Sequence, residues 1–224
     1  PNVYTAYQPV TSPAVAEKFG TAWNVDDLPQ NIGLTIPGML EGIEDGSVKA
    51  LYIMGENPVV SDPDVNHVKK ALEKTELLVV QDIFLTATAE MADVVLPGVS
   101  FAEKNGTFSN TERRVSRVRQ AVEPRGEARQ DWQIIQDIST RFGFTMKYAG
   151  PEEIFNEMAG LTPSYAGIRY ERLEGEGLQW PCPTTDHPGT PFLHKGKIAR
   201  GKGLFHPIAF APPAENIDTE YPFW

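Results

Sequence analysis

Three short apolar runs, Lys49–Met54 (KALYIM), Leu77–Val80 (LLVV) and Asp93–Leu96 (DVVL), leave few architectures open to this chain. Each is the length of a strand, and helical rather than alternating periodicity fills the gaps between them. Asp62-Pro63 opens a predicted helix whose Val65, Val68 and Leu72 share one face, and a shorter helix is expected over Thr86–Met91. Antiparallel neighbours can be joined by a two-residue turn, whereas parallel ones need a crossover of about a dozen residues. Apolar runs without polar alternation predict strands covered on both faces. The fold class is therefore α/β: a three-layer, Rossmann-like, mainly parallel sheet with right-handed crossovers and an irregular C-terminal extension.

The sheet and its helices define a core over residues 48–160. Residues 1–47 form a loop-rich segment packing on it. They contain a predicted helix from Ala14 to Trp23, with Ser12 as cap and Pro13 at its first position. A second apolar periodicity, Ile36, Leu40 and Ile43, predicts a helix ending at Gly46. Beyond the third strand, Gly98–Gly106 reads as loop and Thr107–Val122 as an extended ribbon along one sheet edge. Asp131–Phe142 (DWQIIQDISTRF) is a helix capped by Asp131 and stopped by Gly143, and Pro151–Met158 is another. Residues 161–224 are rich in proline and glycine. Their aromatics, including Tyr165, Tyr170, Trp180, Phe192, Phe205 and Phe210, predict an ordered extension of the same domain.

A formal net charge of −10 argues against a nucleic-acid or anionic-membrane binder, since both partners demand a basic face. Arg113, Arg114, Arg117, Arg119, Arg125 and Arg129 cluster against that background, either as a solvated strand edge or as a docking surface or anion contact. No apolar run approaches the ~20 residues needed to span a bilayer, so membrane insertion is not expected. The single cysteine, Cys182, rules out a disulfide framework or iron–sulfur motif within these residues and reads as structural. His67, His187, His194 and His206 lack metal-ligand spacing. Neither a P-loop nor a GxGxxG is present, which leaves a hydrolase or nicotinamide domain without support.

In an open parallel sheet, ligands lie beyond the carboxyl ends of the strands, where loop amides and helix N-termini converge. Gly55–Asp62, Gln81–Thr86 and Pro97–Gly106 each follow a predicted strand directly. Gly55 and Gly98 would allow a ligand close to the backbone, while Asn57, Ser61, Gln81 and Asp82 offer donors and acceptors. A carboxylate or amide there matches the ring N–H and amino group of a guanine. The same residues also suit turns and caps, as Asp131 suits a helix cap, and the pattern alone leaves both readings open.

The run Gly55-Glu56-Asn57-Pro58, followed over residues 79–135 by VVQDIFLTATAEMADVVLPGVSFAEKNGTFSNTERRVSRVRQAVEPRGEARQDWQII, resembles the molybdopterin oxidoreductase family. It is most similar to formate dehydrogenase catalytic subunits. The resemblance covers about residues 49–145, and Gln179-Trp180-Pro181-Cys182 and Glu220-Tyr221-Pro222 extend it. It implies the third domain of a larger subunit, holding one dinucleotide of a bis-molybdopterin guanine dinucleotide cofactor with molybdenum or tungsten. The cofactor contacts it implies are Gly55, Glu56, Asn57, Ser61, Gln81, Asp82, Gly98 and Asp131, with backbone rather than side-chain contacts at Asn57 and Gly98. Glu103, Asn105 and Gly106 belong to a loop that recurs in the family.

The metal-ligating cysteine or selenocysteine, its neighbouring histidine, the active-site arginine and the cysteines of a 4Fe-4S cluster have no counterpart among these residues. They are expected upstream, and the domain completing the second dinucleotide site downstream. The expected partners are the remaining domains of the same subunit and iron–sulfur or other electron-transfer subunits. The compartment expected is the cytoplasm. The intact enzyme is expected to oxidise formate to carbon dioxide, and these residues alone to bind without catalysing. A nitrate reductase-type oxidoreductase and a non-catalytic scaffold of the family are the alternatives.

Overall fold

The computed structural model describes residues 2–196, 198, 201–211 and 217–223. The chain divides into two units, residues 1–190 and 191–224. In the first, a two-stranded ribbon of β1 (Val3–Tyr4) and β2 (Gln8–Pro9) precedes α1 (Pro13–Trp23) and α2 (Ile36–Glu44). Pro13 starts α1 as expected, although the Ser12 side chain makes no capping bond. Trp23 Nε1 donates to Glu157 Oε1 at 2.9 Å, tying α1 to the later helix α6 (Pro151–Leu161).

The predicted strands form one parallel sheet in the order β3 (Ala50–Met54), β4 (Leu77–Asp82), β5 (Val94–Pro97). Two helices cross between the first two strands, α3 (Pro58–Ser61) and α4 (Val65–Leu72). Asp64, rather than Asp62, caps α4 by accepting from the His67 backbone N–H at 3.0 Å. Only Ala89–Met91 of the expected second crossover helix is helical, as a short 3-10 turn.

Strand alternation gives this sheet two unlike faces. Leu78 and Val80 point into a core with Leu40 and Ile43 of α2 and Val68, Ala71 and Leu72 of α4. On the other face, Tyr52 pairs with Val79 and Val79 with Val94, while Met54 pairs with Gln81 and Gln81 with Leu96. Tyr52, Leu77 and Val94 remain 41%, 44% and 41% exposed there. The carboxyl end of that face is closed by the start of α5 (Asp131–Arg141), where Gln81 is buried to 1%.

The extended ribbon is a separate antiparallel sheet rather than an edge of the first one. Its strands are β6 (Gly106–Ser109), β7 (Arg114–Val118) and β8 (Leu178–Gln179), with β7 in the middle. Val115 packs with Phe155, Ala159, Ile168, Tyr170, Leu173 and Cys182 in a second core. Arg117, on the same face, stacks 3.9 Å above the Tyr170 ring. Most of the arginine cluster is neutralised within the chain: Arg114 pairs with Glu112, Arg117 and Arg119 with Glu174, and Arg129 with Asp137. Cys182 is fully buried beside Arg172, as a structural residue would be.

Residues 191–224 contain neither helix nor strand among the described residues. Tyr165 and Trp180 stack in the first unit and Tyr170 is buried, whereas Phe192, Phe205 and Phe210 in the second are largely exposed. Among the described residues, no helix is long and apolar enough to cross a membrane.

Candidate functional site

The site is built where the three parallel strands end. Because Leu78 and Val80 face the helical core, the next alternating position of β4, Gln81, falls with Leu77 and Val79 on the opposite face. A buried amide must find partners there. The Tyr52 hydroxyl donates to Gln81 Oε1, and Gln81 Nε2 donates to Asp131 Oδ1 at 2.7 Å. Lys104 Nζ donates to the other carboxylate oxygen, Asp131 Oδ2, also at 2.7 Å. The Lys104 and Asp131 side chains are 25% and 34% exposed, so this pair forms the solvent-facing side of the network. Burial, and then the negative charge of Asp131, push the Tyr52 phenol above its ordinary pKa and keep it a neutral donor.

Asp131 was expected to cap its helix, but Gln130 occupies the capping position and Asp131 is the first helical residue. Its carboxylate is thereby turned to the sheet. That approach is eased by the glycine at 98, since a Cβ there would lie 3.2 Å from Asp131 Oδ1, close enough to push the carboxylate back by a few tenths of an ångström. The Gly98 N–H donates to the Asp82 carbonyl at 2.9 Å, and the Gly55 N–H to the Gln81 carbonyl at 2.9 Å. Gly55 has φ +65°, a conformation that favours glycine over residues with a Cβ. The three strand ends are thus stitched into one rim.

The other candidates serve that rim differently. The Asp82 carboxylate accepts from the Ile83 and Phe84 backbone N–H groups at 2.7 and 3.3 Å, closing a tight turn. Asn57 Oδ1 accepts from Thr88 N–H and Oγ1 at 3.2 and 2.8 Å, and Thr88 Oγ1 accepts from the Val59 N–H at 3.1 Å. The Asn57 side chain therefore ties two loops together and does not meet Gln81 or Asp131. Ser61 is exposed, its hydroxyl donating to the Asn57 carbonyl, and Glu56 is exposed. Of the eight candidates, Gln81 and Asp131 are hydrogen-bonded to each other, Gly98 leaves the space beside the Asp131 carboxylate, Gly55 is bonded to Gln81 through the backbone, and Asp82 to Gly98 likewise. Glu56 and Asn57 lie on the first loop and Ser61 ends α3 directly after it, and the structure brings no side chain of the three to the Asp131 carboxylate.

Lys104, Tyr52 and Thr88 carry no sequence signal that marks them as site residues. Lys104 has some local logic in retrospect. Glu103 accepts from Ser100 N–H and Arg125 N–H at 2.8 and 3.0 Å, and Asn105 accepts from Gln120 N–H at 3.1 Å. The Ser100 bond, foremost, holds the Glu103 carboxyl below its ordinary pKa. Both flanking side chains are spent on holding the loop, and Lys104 between them reaches the helix start. A groove of about 440 Å³ runs beside this rim, lined among others by Gly98, Ser100, Phe84 and Arg125. Among the described residues, no group of three or more His, Cys, Asp or Glu is placed to hold a metal ion.

A parallel sheet whose carboxyl-end rim presents a carboxylate, a lysine and close-approach glycines fits a nucleotide-type ligand better than a metal. Residues 2–141 match the molybdopterin oxidoreductase family, and the chain belongs to it. It is 51% identical over 99% of its length to the F420-dependent formate dehydrogenase 1 subunit alpha of Methanococcus maripaludis, and spans 33% of that protein. It is 50% identical over 100% of its length to the F420-dependent formate dehydrogenase subunit alpha of Methanocaldococcus jannaschii, again spanning 33%. Formate dehydrogenase H of Escherichia coli is 41% identical over 99% of the chain, which spans 32% of it. The chain thus covers about a third of the length of these relatives. The acetylene hydratase of Pelobacter acetylenicus shares the fold, with a TM-score of 0.55 at 22% identity over 79% of this chain and 24% of that one.

Proposed function

We propose that this chain holds the guanine end of one dinucleotide of a molybdopterin cofactor at the rim formed by Gln81, Gly98, Lys104 and Asp131. The observation that carries this is the Lys104–Asp131 pair, a donor set beside an acceptor set at 2.7 Å. Along its pairing edge guanine offers one acceptor, the O6 carbonyl, and then two donors, the ring N–H and the amino group. An ammonium next to a carboxylate complements that order. Adenine reverses it, setting an amino group against the lysine. Gly98 supports the assignment because its missing Cβ leaves room for Asp131 to sit at the sheet end.

The bound group would supply the redox chemistry, and these residues would bind and orient it. Given its relatives' names, the chain is read as one part of the catalytic subunit of a formate dehydrogenase. Formate would be oxidised to carbon dioxide at molybdenum or tungsten carried by a bis-molybdopterin guanine dinucleotide, with electrons leaving through a 4Fe-4S cluster held outside these residues. The chain alone would bind without turning over.

Two variants of the full-length subunit test the assignment, Gln81→Ala and Asp131→Ala. Bound metal and the guanosine monophosphate released from the cofactor by hydrolysis should both fall well below wild type. Full occupancy in both variants would remove the site.

A further inference from the structure

Gln81 is 1% exposed, and each atom of its side-chain amide has one recorded partner: Tyr52 at Oε1 and Asp131 at Nε2. An amide has two nearly isosteric orientations, and its partners decide which one is populated. The strand register sets the partner on one side. Tyr52 lies opposite Val79, two residues before Gln81 on the same sheet face, so its long side chain reaches diagonally to the amide. A phenol can donate or accept and so does not choose the amide orientation; the Asp131 carboxylate, which only accepts, turns the NH₂ to itself and leaves Oε1 to the Tyr52 hydroxyl.

We infer that Tyr52 is a positioning residue for base selection: it anchors the oxygen end of the Gln81 amide and, through Gln81, holds the Asp131 carboxylate in place as an acceptor for guanine. The inference rests on the dinucleotide assignment made above. Gln81 engages Asp131 Oδ1 and Lys104 engages Oδ2, so the carboxylate is pinned from both sides. Each carboxylate oxygen has a further lone pair for the ring N–H and amino group of a base. Without the phenol hydroxyl, Gln81 Oε1 loses its recorded partner while buried. The amide is then held at its Asp131 end only, and it can shift in its site and carry the carboxylate with it. Tyr52 is 41% exposed and its ring can be retained in a variant, so the hydroxyl can be removed with little change in packing.

The test compares dissociation constants for guanosine diphosphate and adenosine diphosphate, measured by calorimetry on this chain. The proteins are wild type, Tyr52→Phe, Gln81→Leu, the double variant and Asp131→Asn, each checked for a native thermal transition. Tyr52→Phe should weaken guanosine diphosphate about five- to tenfold, the loss of roughly one hydrogen bond. Adenosine diphosphate affinity should not change, and Tyr52→Phe should add nothing in the Gln81→Leu background. Should Tyr52→Phe fail to fold, Gln81→Leu carries the test: selective weakening of guanosine diphosphate supports the relay through Gln81, and unchanged affinity overturns it. Equal weakening of both nucleotides, additivity with Gln81→Leu, or no effect of Tyr52→Phe would overturn the inference. If Asp131→Asn abolishes the guanine preference and Tyr52→Phe does not, the inference fails while the site stands. If wild type shows no preference for guanine, both fall.

Discussion

Gly98→Ala separates a binding role from a structural one, because the structure predicts a loss of affinity with almost no change in stability. Its φ lies outside the left-handed region, so alanine meets no backbone strain there and restricts the unfolded chain. That restriction alone is worth about 0.4–1 kcal/mol of added stability. Against it stands the new Cβ, 3.2 Å from Asp131 Oδ1, which forces the carboxylate back by a few tenths of an ångström. The Gln81–Asp131 bond, at 2.7 Å, is lengthened. Hydrogen bonds to a charged group contribute about 1.5–3 kcal/mol, and partial loss of one costs about 1 kcal/mol. The two effects nearly cancel in stability. Binding has no such offset, since a displaced Asp131 no longer sits beside Lys104, and guanosine diphosphate affinity should fall about tenfold. Gly55→Ala is the counterpart: it has open space around its Cβ but φ +65°. It should cost about 1 kcal/mol of stability and leave the rim, and so the affinity, unchanged. Chemical denaturation and calorimetry on the two variants read both quantities. Unchanged affinity in Gly98→Ala, or an equal affinity loss in Gly55→Ala, would refute the close-approach argument.

Thr88→Val should destabilise the chain by about 1–3 kcal/mol, because the Asn57 side chain and the Val59 N–H both lose a fully buried hydroxyl partner; denaturant midpoints check this. Tyr148 is pushed up to about 12, first by burial and then by its bond to the Glu157 carboxylate. Its folded pKa exceeds the unfolded one, so its contribution is complete below pH about 10 and lost as pH rises through about 12. The ultraviolet tyrosinate titration of wild type minus Tyr148→Phe should therefore show a single late step. The apolar sheet face carrying Leu77 and Val94 should drive concentration-dependent self-association of the isolated chain, reduced by Val94→Lys. Superimposable sedimentation profiles would contradict this.

The parallel sheet was legible because KALYIM, LLVV and DVVL can form little else at that spacing, and the three strand ends share one rim. The exposure of one face was not legible, since an apolar run reads the same whether its second face meets a helix in this chain or elsewhere. Asp131 shows how a local rule yields to a tertiary one. An aspartate at a helix start suggests a cap, but a shift of one position frees the carboxylate for Gln81 and Lys104. Lys104 was invisible for a related reason: a loop lysine carries no periodicity, and its partner lies 27 residues away. The arginine cluster reads equally as a solvated strand edge or as a docking or anion-binding surface, and the sequence could not show that Glu174, 55 and 57 residues from Arg119 and Arg117, folds back to neutralise two of them.

The central claim is that the strand-end rim receives a guanine nucleotide. Amide chemical shifts of the labelled chain, followed during titration with guanosine diphosphate, test it most directly. The account predicts perturbations centred on Gln81, Gly98, Lys104 and Asp131, with adenosine diphosphate markedly weaker. Perturbations confined to other surfaces, or the same response to both nucleotides, would contradict it.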